Sequence, residues 1–450
     1  MGPKRTAAQV RPEARVTLVM NRTGGPAYAL NVLAGAVETA PELSAVKVVF
    51  ADNEREAVVP ARQAARGGQQ VVVAWSFYSP AFARRVAELA RLKAALKDLE
   101  IWHLVGGVHA TAEPAQTLRA GFDLVAVGEG EQIVRELLGR LLAGQSPGGT
   151  RGIAHLEGDQ VVTHGAGERI DVDAFPPFAP GHGKFNPIQI TRGCIYGCKF
   201  CQTPFMFKAR FRHRSVENVC HFVRLMKERG LVDVRFITPT ALSYGSDDEQ
   251  VRLDKIEELL LGVRRALGTC GRIFFGTFPS EVRPEHVSLE ALRLLKRYVA
   301  NNNLIIGGQS GSEDILRSTR RGHSAEAITA AVRWAREAGF LPNVDLIFGL
   351  PGETSADVQA TLRLAERLAG WGARIHAHTF MPLPGTPYRH APPGQPDPAA
   401  LRAIGRLSAR GRLYGQWRQQ AAVAQELAAR QQPQGRSSPM ATCEKETPHP

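Results

Sequence analysis

The sequence predicts an α/β protein in which two domains of alternating strand and helix follow one another. Three observations carry this. Short apolar runs recur through residues 15–144 with helical stretches between them, and the alternation resumes from Pro187. The segment between, residues 146–186, breaks the pattern with prolines and glycines. The first alternation implies a parallel, doubly wound sheet. The second supplies six βα units, too few for a closed eight-stranded barrel, and implies a partial (β/α)6 TIM-like barrel with its site at the C-terminal strand ends.

Residues 1–14 read as a disordered N-terminus. In the first domain, residues 15–145, buried strands are expected at Arg15–Asn21, Ala45–Ala51, Gln70–Phe77, Ile101–Val105 and Leu124–Val127. A helix over Ser79–Leu96 is marked by the spacing of Phe82, Val86, Leu89 and Leu92. Ligands of such sheets sit beyond the C-terminal strand ends. The loops there, Asn21–Pro26, Ser76–Pro80, Gly106–Ala112 and Gly128–Glu131, are rich in Gly, Ser and Pro, which permits close backbone approach. Residues 146–186 read as a linker containing a hairpin, Gly152–His164, that leads through Phe175-Pro176-Pro177-Phe178.

In the second domain, residues 187–390, strands are expected at Ile188–Thr191, Val234–Thr238, Ile273–Thr277, Leu304–Gly307, Val344–Phe348 and Ile375–Phe380. Ser215, Ser312 and Ser355 stand where N-caps belong, each with acidic residues just behind, and Gly322 stands where the helix from Ser312 should stop. Residues 391–430 read as a helical extension rich in Ala, Leu, Gln and Arg, and 431–450 as a disordered tail.

Composition narrows the function classes. The chain is 44% apolar and 22% charged over 450 residues, enough to bury a sizeable core without disulfides or structural zinc. The formal charge of +13 comes mostly from Arg spread along the chain, a solvated basic surface rather than a nucleic-acid groove. Its densest stretch, Lys208–Arg214, follows the cysteine cluster. No run of 18 apolar residues suggests a membrane span, and residues 1–16 lack the apolar segment of a signal peptide. Gly2 and Thr6 fit the loose myristoylation pattern by chance. A cytoplasmic protein is expected.

The six cysteines are Cys194, Cys198, Cys201, Cys220, Cys270 and Cys443. Three lie within eight residues, in Thr191-Arg192-Gly193-Cys194-Ile195-Tyr196-Gly197-Cys198-Lys199-Phe200-Cys201. This is a clustered metal site in a reducing compartment, not a disulfide framework. A cubane cluster needs four iron ligands, so three thiolates from one loop leave one iron open for a ligand. Tetrahedral zinc is the structural alternative; it needs a fourth ligand, for which Cys220 and His213 are the candidates. The position of the loop, after the first strand of a βα domain, is that of an active-site loop.

CxxxCxxC with an aromatic before the last cysteine resembles the radical S-adenosylmethionine superfamily. The resemblance implies that Cys194, Cys198 and Cys201 hold a 4Fe–4S cluster whose open iron chelates S-adenosylmethionine, and that one electron cleaves the cosubstrate to a 5′-deoxyadenosyl radical. It places Phe200 near the adenine. Gly307-Gly308-Gln309-Ser310 resembles the segment that reads the amino-acid part of the cosubstrate, with Gln309 where many members carry Glu. Phe348-Gly349-Leu350-Pro351-Gly352 resembles the loop lying against the adenine, so Gly349, Pro351 and Gly352 are expected cosubstrate contacts. Ser280 and Glu281 stand where ribose and carboxylate contacts arise.

Residues 1–193 contain no cysteine, whereas tRNA methylthiotransferases with similar radical domains carry a second cluster on N-terminal cysteines. The first domain is instead similar to the flavodoxin-like (Rossmann-like) cobalamin-binding domains of class B radical enzymes. The matching residues are Ser76 and Phe77 after the third strand, Gly106, Gly107 and Val108 after the fourth, and Gly128, Glu129 and Gly130 after the fifth. The first strand ends Asn21-Arg22-Thr23-Gly24-Gly25, without the Asp-x-His-x-x-Gly that places His on cobalt in many such domains. His103 and His109 read as core or surface histidines. The resemblance implies cobalamin-dependent methyl transfer to an unactivated carbon of an unknown, small-molecule or natural-product-like substrate, with a flavodoxin or ferredoxin as reductant. Cyclisation or rearrangement without methyl transfer, and a non-catalytic cobalamin or iron–sulfur protein, are the other readings. No catalytic residue stands out; His376, His378 and Tyr388 lie at the last barrel strand and its loop.

Overall fold

The computed structural model describes residues 15–22, 28–395 and 398–431. Residues 1–14, Thr23, Gly24 and Gly25 of the first loop, the 432–450 part of the expected tail, and Cys443 lie outside the described residues, as do the expectations made for them. Contacts divide the chain into two compact units. Among the described residues, the first comprises those from 15 to 170 together with Phe178–Asn186, and the second Asp171–Pro177 together with those from 187 to 431.

The first unit is built on one seven-stranded sheet. Its strands are β1 (Val16–Asn21), β2 (Val46–Ala51), β3 (Gln70–Ser76), β4 (Trp102–Gly106), β5 (Leu124–Ala126), β6 (Ile153–Glu157) and β7 (Gln160–Thr163), in the order β2-β1-β3-β4-β5-β6-β7. β1 to β5 are parallel, and 2-1-3-4-5 is the doubly wound order whose switch point lies between β1 and β3. Side chains alternate across the sheet. Leu18, Met20, Val72 and Ala74 pack on one face with helices Tyr28–Glu38 and Gly130–Leu142; Val19, Val71, Val73 and Trp75 pack on the other with Glu54–Arg66 and Phe82–Ala95. A sheet covered on both faces explains why these strands read as unbroken apolar runs.

Several expectations are corrected here. β2 is an edge strand and half-buried rather than buried. The helix expected from Ser79 starts at Phe82, because Ser79–Ala81 form a separate 3₁₀ turn around Pro80. Residues 146–186 are no free linker: the hairpin β6–β7 extends the sheet antiparallel from β5, and the remainder is shared between the two units.

The second unit is an open barrel. Its strands are β8 (Ile188–Gln189), β9 (Thr191–Arg192), β10 (Arg212–His213), β11 (Asp233–Ile237), β12 (Arg272–Phe274), β13 (Asn303–Gln309), β14 (Leu341–Phe348), β15 (Arg374–Thr379) and β16 (Leu413–Tyr414). Parallel pairing runs β8-β11-β12 and β13-β14-β15-β16, joined by the bridge Val282↔Ile306. Two corrections follow. The first expected strand divides at Ile190, and Thr191–Arg192 turn away to pair antiparallel with Arg212–His213, so the cysteine loop hangs from a two-stranded stem. The barrel also has a seventh parallel strand, β16, from the region read as helical only; helices Pro398–Ala409 and Trp417–Gln431 flank it.

Two helix ends differ as well. Ser215 and Ser312 cap as expected, accepting from the N–H groups of Asn218 and Ile315. The cap expected at Ser355 is Thr354, which forms a reciprocal capping box with Asp357. The helix from Ser312 ends at Ser318, four residues before Gly322, and the left-handed position after it is taken by Arg320.

Candidate functional site: three cysteines at the mouth of an open barrel

The cysteine loop closes on itself through Gly193. That residue has φ +81°, and a Cβ on it would lie 1.9 Å from the Arg210 carbonyl oxygen. Only glycine allows the loop to leave and rejoin its stem so tightly. Cys194, Cys198 and Cys201 are free thiols, packed with Tyr196, Phe200 and Phe211. Burial pushes the Cys194 thiol up to about 12, with the neighbouring cysteines adding to the rise and the Tyr196 N–H opposing it. A bound metal reverses that balance, since coordinating thiols are deprotonated outright.

Two buried guanidinium groups face the same sulfur. Arg283 Nη1 lies 3.8 Å and Arg321 Nη1 3.6 Å from Cys198 Sγ. Arg283 also bonds Glu285 and the Arg321 carbonyl, and it stacks 3.6 Å over the Tyr196 ring. Arg321 donates to the Gly307 carbonyl at 2.6 Å. Burying two cations is costly unless an anion meets them. Glu285, held down to about 2 by His323 and Arg283 against the effect of its own burial, supplies one negative charge. A three-thiolate iron–sulfur cluster, if held by this loop, would supply another. The residues therefore fit the cluster, and zinc with Cys220 does not: Cys220 packs elsewhere, its sulfur 3.0 Å from where a Cβ on Gly262 would sit. His213 hydrogen-bonds Thr191 and the Ser246 carbonyl.

The structure gathers many of the expected cosubstrate residues around this loop. Phe200, like Ile347 and Tyr388, packs against the cluster of Ile315, Leu350 and Phe380, beside the loop holding Gly349, Pro351 and Gly352. Gly349 has φ +76°, and a Cβ there would run into the backbone of Gly394 and Gln395. Its N–H donates to Glu353 Oε2 at 2.6 Å, and burial pushes the Glu353 carboxyl up to about 7. A Cβ on Gly307 would lie 2.6 Å from Arg321 Nη2, 2.9 Å from Gln309 Nε2 and 3.2 Å from Glu281 Oε1, so these three groups converge on one glycine. Gln309 follows a bulge with φ +72°. Gly308 is pressed against Val344 and Ile328, while the hydroxyls of Ser310 and Ser280 are taken up by Thr361 and the Thr277 carbonyl. Ser310 is thus tied to helix Ser355–Gly370, and Ser280 to its own turn.

Sequence reasoning missed Arg283, Arg321 and His286, whose Nε2 is 2.7 Å from Tyr196 Oη, and gave no role to Glu353, which follows Gly352 in the expected cosubstrate loop. Glu353 was within reach, as the acidic residue of an otherwise apolar Gly-Pro loop. The arginines were not, in a chain so rich in arginine.

In the first unit, the cobalamin candidates line the C-terminal edge of adjacent strands. Ser76 pairs with Gly106, and a Cβ on Gly107 (φ +95°) would lie 3.1 Å from Ser76 Oγ and 3.3 Å from the Phe77 carbonyl. Val108 opens the short helix to Ala112, Gly128 (φ +106°) donates to Thr111 Oγ1, Glu129 precedes helix Gly130–Leu142, and Gly130 packs on Leu33. His109 is buried against Phe82 (4.3 Å between rings) and Phe77. Burial pushes the His103 ring down to about 4.

Residues 188–365, within the second unit, match the Radical SAM superfamily. The chain is 30% identical over 286 residues to a tRNA-2-methylthio-N(6)-dimethylallyladenosine synthase of Desulfosudis oleivorans, covering 63% of this chain and 57% of that protein. It is 26% identical over 300 residues to an uncharacterized methyltransferase of Pyrococcus horikoshii, covering 64% and 62%. The chain thus spans less than two thirds of these curated relatives. Among solved structures it is similar to the radical S-adenosylmethionine methyltransferase TsrM of Kitasatospora setae with cobalamin and a [4Fe–4S] cluster bound. The TM-score is 0.65 at 19% identity, over 84% of this chain and 78% of that one, a likeness of fold.

Proposed function

We propose that this radical S-adenosylmethionine enzyme transfers a methyl group with the help of cobalamin to a small-molecule substrate, and takes its electrons from a flavodoxin or ferredoxin. The observation that carries the reading is the pairing of two features in one chain. One is the arginine-backed three-cysteine loop of the barrel. The other is a 2-1-3-4-5 sheet whose loops at Ser76–Phe77, Gly106–Val108 and Gly128–Gly130 offer a glycine-rich C-terminal edge.

Cys194, Cys198 and Cys201 would hold a 4Fe–4S cluster, which when bound would supply the electron for splitting S-adenosylmethionine. The chain's own groups do the rest. Arg283 and Arg321 balance negative charge at Cys198, Phe200 and the Gly349–Gly352 loop shield the adenosine from water, and Gln309 and Glu281 hold its amino-acid end. Cobalamin, where bound, supplies the methyl carrier; Ser76 and Gly107 would lie along it.

A second reading, methylthio transfer, is favoured by the name of the Desulfosudis relative. Against it stands the absence of any cysteine before Cys194 to hold another cluster. Anaerobic reconstitution with iron, sulfide and cobalamin, followed by S-adenosylmethionine and reductant, tests all readings. Cobalt retention, 5′-deoxyadenosine and S-adenosylhomocysteine support methyl transfer. 5′-Deoxyadenosine without S-adenosylhomocysteine points to cyclisation or rearrangement. Cobalt retention with neither product points to a binding protein, and iron well above four per chain to methylthio transfer.

A further inference from the structure

Three strands of the barrel carry a polar group outside the cysteine loop. Val344 meets the helix side of the barrel, beside Gly308 and Ile328, so Asp345, the next residue on β14, faces the interior. The register sets Asp345 beside His376 of β15 and His376 beside Tyr414 of β16, with His378 two residues on along the same face. Asp345 Oδ1 is 2.9 Å from His376 Nδ1 and 3.9 Å from His378 Nε2, and those two nitrogens are 3.1 Å apart. The circle through these three atoms has a radius of about 2.0 Å, and zinc lies about 2.0–2.2 Å from imidazole nitrogen and carboxylate oxygen. One ion near the centre therefore reaches all three ligand atoms as they stand.

Hydrogen bonds alone leave this group in conflict. Gln420 Oε1, from helix Trp417–Gln431, accepts the Thr379 backbone N–H at 2.9 Å, so its Nε2 donates to His378 Nδ1 at 3.2 Å. A neutral His378 then carries its proton on Nε2 and gives it to the nearer acceptor, His376 Nδ1. That nitrogen turns its lone pair toward Asp345 Oδ1 as well, and two acceptors meet at 2.9 Å. A proton placed between Asp345 and His376 mends that contact, but it competes with the His378 N–H for the same nitrogen. A cation at the centre removes the conflict, because a metal takes lone pairs from all three atoms. The His378 proton then sits on Nδ1, and Gln420 Oε1 accepts it together with the Thr379 N–H; a carbonyl oxygen has a lone pair for each.

We propose that Asp345, His376 and His378 bind a divalent metal ion of the zinc class in the barrel interior. Two imidazoles and one carboxylate suit zinc, whereas magnesium and calcium call for oxygen ligands throughout. Three protein ligands leave zinc an open coordination position. The His376 and His378 side chains keep 30% and 26% of their surface open, so an ion can enter and a ligand oxygen can reach it. At that position the ion would polarise a carbonyl or hydroxyl oxygen of a substrate. The C-terminal extension thereby acquires a role as the frame of the site. Tyr414 stacks flat on the His376 ring, 4.5 Å between centroids at 6°, and Gln420 orients His378. The metal site goes beyond the proposed methyl transfer and does not depend on it.

Zinc binding to the full-length chain tests it. The chain is reconstituted with iron and sulfide, passed over chelating resin and titrated with Zn²⁺ alone. One zinc per chain should bind, and X-ray absorption at the zinc edge should show nitrogen and oxygen neighbours without sulfur, which separates this site from zinc in the cysteine loop. His378→Gln and Asp345→Asn should each weaken binding by about tenfold or more. Gln420→Glu, whose second oxygen is free to accept the His378 Nδ1 proton, should tighten it by about tenfold. His221→Gln, at an exposed position on helix Val216–Glu228, should change nothing. Four irons per chain in each variant verify that it has folded. The proposal is overturned if the parent binds no zinc, if sulfur surrounds the ion, or if any of the three site variants binds as the parent does. It is equally overturned if His221→Gln loses as much zinc as His378→Gln. Failure of the proposed function, by contrast, would show as missing 5′-deoxyadenosine with zinc binding intact, since these measurements need neither substrate nor cobalamin.

Discussion

Gly193→Ala separates the demands of the cysteine loop from those of the fold around it. The perturbation has two parts. The φ of +81° costs a non-glycine residue about 1–2 kcal/mol. The added Cβ would sit 1.9 Å from the Arg210 carbonyl oxygen, more than an ångström inside contact distance. The main chain is the obstacle, so no side-chain rotation relieves it. The relief available is to part the stem at Arg210, next to the pairing of Arg212 with Arg192 and one residue from Cys194. Metal–ligand distances tolerate only about 0.2 Å, so a shift of an ångström removes the site while costing the fold little. Reconstituted Gly193→Ala should hold less than one iron per chain against about four in the parent. Its urea midpoint, measured without iron, should reflect a loss of only about 1–2 kcal/mol. Gly197→Ala is the control: four residues on in the same motif, it has nothing within 4 Å of an added Cβ and no positive φ, and should retain its iron. Full iron in Gly193→Ala, or equal losses in both variants, would refute the reasoning.

Other outcomes follow from the same geometry. Arg283→Met leaves Glu285 buried without its closest cation and should destabilise the chain by about 3–5 kcal/mol in thermal or denaturant unfolding; it should also move the cluster's reduction potential downward, as redox titration would show, because a cation facing Cys198 is gone. The Glu353 carboxyl is raised to about 7 by burial, so the fold is penalised as pH climbs from the unfolded value of about 4.3 through 7. Glu353→Gln should then gain up to about 3 kcal/mol at pH 8 and nothing below pH 4, read from urea midpoints across that range. Thr354→Ala removes the capping box of helix Ser355–Gly370 and should cost about 1 kcal/mol. Leu137→Ala, in the fully buried face of helix Gly130–Leu142, should cost about 2–5 kcal/mol.

What the sequence disclosed and what it withheld divide along a physical line. Strands buried on both faces announce themselves as apolar runs, and the three cysteines stand out as a metal-ligand motif by their spacing. The arginines behind Cys198 could not be seen, because Arg283 and Arg321 come from loops 85 and 123 residues away and only the closing barrel brings them together. The seventh strand escaped for another reason: β16 is two residues long and has no periodicity to read. The polar group of Asp345, His376 and His378 lies between these cases. In a barrel strand, the residues facing the helices must be apolar, but those facing the interior need not be. Ile375, Ala377 and Thr379 are buried on the helix side of β15, and His376 and His378 alternate with them. On β14, Asp345 stands between Val344 and Leu346 in the same way. A strand expected to be enclosed on both sides yet polar at every second position is a local conflict with core packing, and such conflicts fall at functional sites.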